Sequence, residues 1–194
     1  MPIGVLALQG DFREHIITLE SCGADAIEVR TLEQLERCRA LIIPGGESTV
    51  IQKLATNYQL FDPVKRKIAS GFPVFGTCAG LIMLADEIID GIEGQFGFGG
   101  LDISVRRNAF GNQLDSFETD LVFKGIEGEP LHTAFIRAPI VEHVGPGVEV
   151  LSSLDDGRVV AVKSGNILGI AFHPEVTGEL RVHRYFLDMV SSAA

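Results

Sequence analysis

Over its first ninety residues the chain alternates short apolar runs with amphipathic stretches. Residues 3–8 read as a buried strand that ends at Gln9-Gly10-Asp11. Asp11 is placed to cap a helix in which Phe12, His15, Ile16 and Leu19 share one face, and Gly23 stops it. A second strand follows at 26–29 and a short helix at 32–38. Leu41, Ile42 and Ile43 make a third buried strand, followed at once by Pro44-Gly45-Gly46-Glu47-Ser48-Thr49. Ser48 or Thr49 can cap the next helix, which carries Val50, Ile51 and Leu54. A further helix over 63–70 leads to an apolar strand at 72–75. Strands and helices in this rhythm predict right-handed βαβ units and a parallel sheet.

After about residue 90 the pattern changes. Gly91, Gly94, Gly97, Gly99 and Gly100 make a loose connection without a dinucleotide-binding glycine fingerprint. Short alternating segments then predict strands at 101–106, 116–123, 133–137, 148–152, 159–163 and 167–172. They are expected to be mostly antiparallel and to close one flank of the sheet. A last helix is expected over 178–190. The whole predicts an α/β fold of three layers: a largely parallel sheet flanked by helices, with an antiparallel extension. No repeat or linker divides the chain, so residues 1–194 are expected to form one domain.

The chemistry sits where the apolar pattern turns sharply. Phe75 is followed by Gly76-Thr77-Cys78-Ala79-Gly80 and then by the start of a helix. A strand–turn–helix corner with a nucleophile at its apex is the elbow of the α/β-hydrolases, here with Cys in place of Ser. Gly76 and Gly80 lack the Cβ atoms that would block the turn. A helix amino terminus beside Cys78 favours thiolate, and its unpaired N–H groups can hold an oxyanion. A buried structural cysteine would fit the pentapeptide equally well. The strand at 167–172 ends in His173-Pro174-Glu175. In extended backbone residues i and i+2 point the same way, so the Glu175 carboxylate can orient the His173 ring. In a parallel sheet, ligands sit beyond the carboxyl ends of the strands, and Gln9-Gly10, Gly45-Gly46 and Cys78 all follow strand ends. His15, His143 and His183 read as structural or solvated, and Cys22 and Cys38 as small packing residues.

Charge and composition narrow the classes. Hydrophobic residues at 46% and charged residues at 22% fit a globular protein. A formal net charge of −10 argues against nucleic acid as a partner. No apolar run approaches the roughly 20 residues that span a bilayer, so no membrane partner is expected. Cys22, Cys38 and Cys78 show no metal-binding spacing, which points to a reducing compartment, the cytoplasm by default, and to no metal site. On these residues alone an amidase, another Cys-elbow hydrolase such as a small peptidase-like protein, and a non-catalytic binding module all stay open.

The fuller set of motifs is L-A-L-Q-G-D-F-R-E-H, L-I-I-P-G-G-E-S-T, F-G-T-C-A-G-L-I-M-L-A, R-N-A-F-G, F-I-R-A-P and F-H-P-E. G-T-C-A-G with F-H-P-E resembles the class I (triad) glutamine amidotransferases, whose fold is flavodoxin-like. The six blocks together resemble the family of glutaminase subunits of pyridoxal 5′-phosphate synthase, over nearly the whole chain. That resemblance implies Cys78 as nucleophile, His173 as general base and acid, and Glu175 as its orienter. It places L-glutamine against Gly46, Glu47, Ser48, Arg107, Ile136 and Arg137. Gly45, Gly46 and Ala79 are expected to supply the oxyanion hole. Arg is suited to the substrate carboxylate, and Arg106, one residue earlier on an alternating strand, should face away. The resemblance also implies no cofactor and a synthase subunit as partner in a large hetero-oligomer. Ammonia released here would pass to that subunit, which builds pyridoxal 5′-phosphate from a pentose and a triose phosphate. The strand-end face bearing Gln9 and Gly45-Gly46 is the expected interface.

Overall fold

The computed structural model describes residues 1–107 and 116–193. The parallel half runs β1 (Ile3–Leu6), α1 (Phe12–Ser21), β2 (Ala26–Val29), α2 (Leu32–Glu36), β3 (Ala40–Ile43), α3 (Ser48–Asn57), α4 (Phe61–Ala69), β4 (Val74–Thr77) and α5 (Ala79–Leu84). Strands β1, β3 and β4 are buried throughout, which is why their sequences are near-continuous apolar runs rather than alternating ones. The second half adds β5 (Ala85–Ile89), β6 (Leu101–Arg106), β7 (Ser116–Leu121), β8 (Leu131–Ile136), β9 (Ile140–Val144), β10 (Glu149–Ser153), β11 (Val159–Ser164) and β12 (Ile167–Ile170). Two helices, α6 (Pro174–Thr177) and α7 (Leu180–Ser192), close the chain.

The main sheet has the order β2-β1-β3-β4-β12-β11-β9-β6-β5, with β10 also paired to β11. From β2 to β12 all neighbours are parallel, and β11 then pairs with β12 antiparallel. Helix α1 packs on α6 and α7, while α3 packs on α4 and α5, giving a helical layer to either side. This is the expected α/β architecture. None of the helices among the described residues is long and apolar enough to cross a membrane.

Four expectations need correction. The segment at 167–172 does not lie on the flank, because β12 is inserted beside β4 and continues the parallel set. The segments at 116–123 and 133–137 leave the main sheet and form a separate two-stranded antiparallel sheet, β7–β8. The elbow helix ends after six residues, and β5 begins at Ala85 with no intervening turn. The N-cap of α3 is Glu47 rather than Ser48 or Thr49. The last helix stands where expected as α7, preceded by the short α6, which the left-handed backbone of Gly178 (φ 72°) ends.

Candidate active site

Cys78 sits at the N-cap of α5 with φ 49° and ψ −103°. That is a costly backbone for a residue with a Cβ, and such strain collects at functional positions. The corner closes because its neighbours are glycines. A Cβ on Gly80 would stand 2.0 Å from the Ile43 carbonyl oxygen, and one on Gly76 2.6 Å from the Gly80 backbone. The Cys78 thiol lies 3.9 Å from the Ile136 carbonyl oxygen and faces His173 closely enough to raise its proton affinity.

His173 is buried at the end of β12, anchored by its N–H donating to the Ala134 carbonyl of β8 at 2.9 Å. Glu175 Oε1 lies 2.6 Å from His173 Nδ1, the pairing expected, although Glu175 stands in the first turn of α6 rather than on an extended segment. A second carboxylate reaches the same nitrogen: Asp11 Oδ2 is 3.0 Å away. Asp11 does occupy the N-cap of α1, but its side chain makes no capping hydrogen bond. Burial opposes charging the His173 ring, yet hydrogen bonds with Asp11, Cys78 and Glu175 outweigh it and push its pKa up to about 12. Burial raises the Glu175 carboxyl to about 8, His173 opposing and Asp11 adding to the rise. Burial acts on Asp11 in the same direction, but hydrogen bonds with His173 and Glu175 and the nearby His15 hold it well below the usual carboxylate range.

Behind Glu175 lies a polar group that the sequence reading set aside. His15 is fully buried, with Nε2 3.0 Å from Thr77 Oγ1 and 3.7 Å from Glu175 Oε2. Its Nδ1 meets His183 Nε2 at 2.9 Å. Burial pulls His15 down to about 4 and holds His183 well below its ordinary value, so both stay neutral at physiological pH. Nothing in a lone histidine on a helix face signals such a role; only the tertiary meeting of α1, β4 and α7 makes it.

In front of Cys78 opens a cavity of about 290 Å³ lined by Gln9, Gly46, Glu47, Ser48, Cys78, Ile82, Arg107, Ile136, Arg137 and His173. All six residues expected at the substrate are in that lining. Gly45 and Ala79 are not: Gly45 lies behind, where a Cβ would meet the His173 ring at 2.5 Å. Arg106 faces away and pairs with Asp90 and Glu142. Two further residues shape the pocket. Gln95, from the glycine-rich connection, accepts from Arg107 Nη1 at 2.8 Å and donates to Ser48 Oγ at 2.9 Å. Gln9 Oε1 accepts from the Glu47 N–H at 2.8 Å. Residues 108–111 of the R-N-A-F-G block lie outside the described residues.

A model of the SNO glutamine amidotransferase family matches residues 5–192. The chain belongs to that family. A relative from Leifsonia xyli subsp. xyli, named pyridoxal 5′-phosphate synthase subunit PdxT, is 60% identical over 188 residues, covering 97% of this chain and 95% of its own. A protein of the same name from Clavibacter sepedonicus is 58% identical over 191 residues, covering 98% and 91%. A crystal structure described as a glutamine amidotransferase superposes with a TM-score of 0.92 at 49% identity, covering 98% of this chain and all of that one. The site described above therefore stands in an amidotransferase scaffold from end to end.

Proposed function

We propose that the chain is the glutaminase subunit of a pyridoxal 5′-phosphate synthase, with Cys78, His173 and Glu175 as its catalytic triad. One observation carries the triad assignment. The strained Cys78 faces a histidine whose Nδ1 is held by Glu175 at 2.6 Å, inside a cavity lined by Arg107 and Arg137. The Cys78 thiolate attacks the side-chain carbonyl carbon of L-glutamine, forming a C–S bond and an oxyanion that backbone N–H groups at Gly46 and Ala79 hold. As the C–N bond breaks, His173 gives its proton to the departing nitrogen and ammonia leaves. Water then attacks the thioester, His173 takes its proton, and glutamate departs with Cys78 restored. Arg107 takes the substrate carboxylate, held in place by Gln95, while Glu47 or Ser48 accepts from the ammonium.

The whole chain serves as one glutaminase domain in the cytoplasm. It docks on a synthase subunit in a hetero-oligomer and hands over ammonia for assembly with pentose and triose phosphates. The docking face proposed is the strand-end face that bears Gln9 and Gly46, since ammonia leaves from that side.

The test is glutamate release from glutamine by the purified chain, alone and with a pyridoxal 5′-phosphate synthase subunit. Turnover should rise with the partner and vanish in Cys78→Ala. Turnover indifferent to the partner would sink the pathway assignment, and none in either case would sink the glutaminase reading. Charge reversals on the docking face that left the complex intact would overturn its placement.

A further inference from the structure

Four observations around His173 do not belong to a three-residue relay. First, Asp11 and Glu175 both reach Nδ1, at 3.0 Å and 2.6 Å, although the ring carries at most a single proton there in either charge state, so the two must share it. Second, the Asp11 side chain forgoes the hydrogen bond that its N-cap position offers and turns to the histidine instead. Third, Asp11 Oδ1 and Glu175 Oε2 are both buried without a hydrogen-bond partner, so no other donor draws either group off the ring, the neutral His15 standing 3.7 Å from Glu175 Oε2. Fourth, the loop that carries Asp11 is locked. Its N–H donates to the Gly45 carbonyl, Gly10 holds φ 95°, and a Cβ on Gly10 would overlap the Gly45 oxygen at 1.7 Å. A Cβ on Gly45 would also stand 3.1 Å from Asp11 Oδ1, so glycine at that position leaves room for the carboxylate.

We propose that Asp11 is a positioning residue for the glutaminase reaction, a second carboxylate that shares His173 Nδ1 with Glu175 and holds the ring as a charged imidazolium against the Cys78 thiolate. This rests on the functional reading given above. The titratable groups facing His173 are Asp11 and His15 from α1 and its cap, Cys78 from the elbow, and Glu175 from α6. Among these Asp11, held well below the usual carboxylate range, brings the negative charge to the Nδ1 side of the ring, where Glu175, raised to about 8, offers an acceptor oxygen, and Cys78 brings negative charge to the other side. In the acylation step the imidazolium must survive until the C–N bond breaks; a paired carboxylate on its far side keeps the proton from leaving to water first.

The variants that test this are Asp11→Asn and Asp11→Ser, both good N-caps that remove the charge without costing the helix its cap. Their thermal midpoints should match the parent chain within a few degrees. In the full chain, ¹⁵N and ¹³C NMR of the His173 ring should show its titration moved down by about one pH unit or more, the size expected for losing a neighbouring opposite charge. In the complex with a synthase subunit, kcat for glutamine should fall on the order of tenfold with KM within about twofold, and the fall should deepen toward high pH. An unmoved His173 titration, or an unchanged kcat in a folded Asp11→Asn chain, overturns the proposal. The NMR readout does not depend on turnover. If the parent chain released no glutamate, the functional reading would fail while the coupling of Asp11 to His173 would still be measured.

Discussion

At the scale of single residues, the elbow depends on where side chains are missing. Gly80 lets α5 approach β3 until the Ile43 carbonyl fills the space a methyl would need, 2.0 Å from the ideal Cβ. Neither partner can give way, since one is helix backbone and the other strand backbone. Gly80→Ala is expected to destabilise the fold by about 3 kcal/mol, read as a lower urea midpoint, and to abolish turnover by shifting Cys78. Wild-type stability in that variant would mean the corner is looser than its geometry states. Asp11 teaches the opposite lesson. In sequence, Gln9-Gly10-Asp11 before an amphipathic helix is indistinguishable from an ordinary cap signature, and the residue does sit at that position. What it does there depends on β12 delivering His173 beside it, more than 160 residues later in the chain. The elbow cysteine and the His-Pro-Glu corner were legible because strand-end motifs announce themselves locally, whereas the expected substrate residues rested on the family resemblance alone. Asp11, His15 and Gln95 were not, because each acquires its role through a distant partner.

At the scale of elements, α1 and α7 are joined through two buried neutral histidines, and this gives the fold an acid limit. His15 (about 4) and His183 both have folded pKa values below their unfolded ones. Each therefore takes up a proton on unfolding once the pH is below about 6.5. Glu175, raised to about 8, works the other way, being already protonated in the fold down to its unfolded value near 4.5. His173, raised to about 12, is protonated in both states below pH 6.5 and adds no slope there. Two uptakes against one release leave about one proton bound on unfolding between pH 4.5 and 6.5. Stability should fall with acidification in that window by about 1.4 kcal/mol per pH unit. Urea denaturation at a series of pH values checks the sign; a midpoint that rose toward pH 4.5 would contradict it. The elements themselves were read well where they are buried on both faces. Strand β5 was missed because it starts at the last residue of a helical apolar run, and β9 because Pro139 and the brief I-V-E-H-V segment give no clear alternation.

At the scale of the whole molecule, the small β7–β8 sheet is the pocket's outer wall. It supplies Ile136 and Arg137 and fixes the His173 backbone through Ala134. Its two strands are tied by the stacked rings of Phe117 and Phe135, 4.8 Å apart, and Phe135 joins them to the rest through the tilted ring of Phe172, 5.7 Å away beside the histidine. Phe117→Ala should therefore raise the glutamine KM several-fold at a stability cost of about 2–3 kcal/mol, measured by steady-state kinetics and chemical denaturation. An unchanged KM would separate the wall from substrate binding.

The place of β12 between β4 and β11 has a consequence for synthesis on the ribosome. A nascent chain that has emerged only as far as residue 166 already carries the nucleophile and most of its pocket, but lacks the strand that must slot into the middle of the sheet. Until that strand arrives, β4 and β11 are two raw edges facing a gap. Arrival of 167–175 closes the gap and delivers the base in one event. A chain cut short there would lose its solubility along with its chemistry, so an interrupted message yields no half-active glutaminase leaking ammonia, only a target for proteolysis.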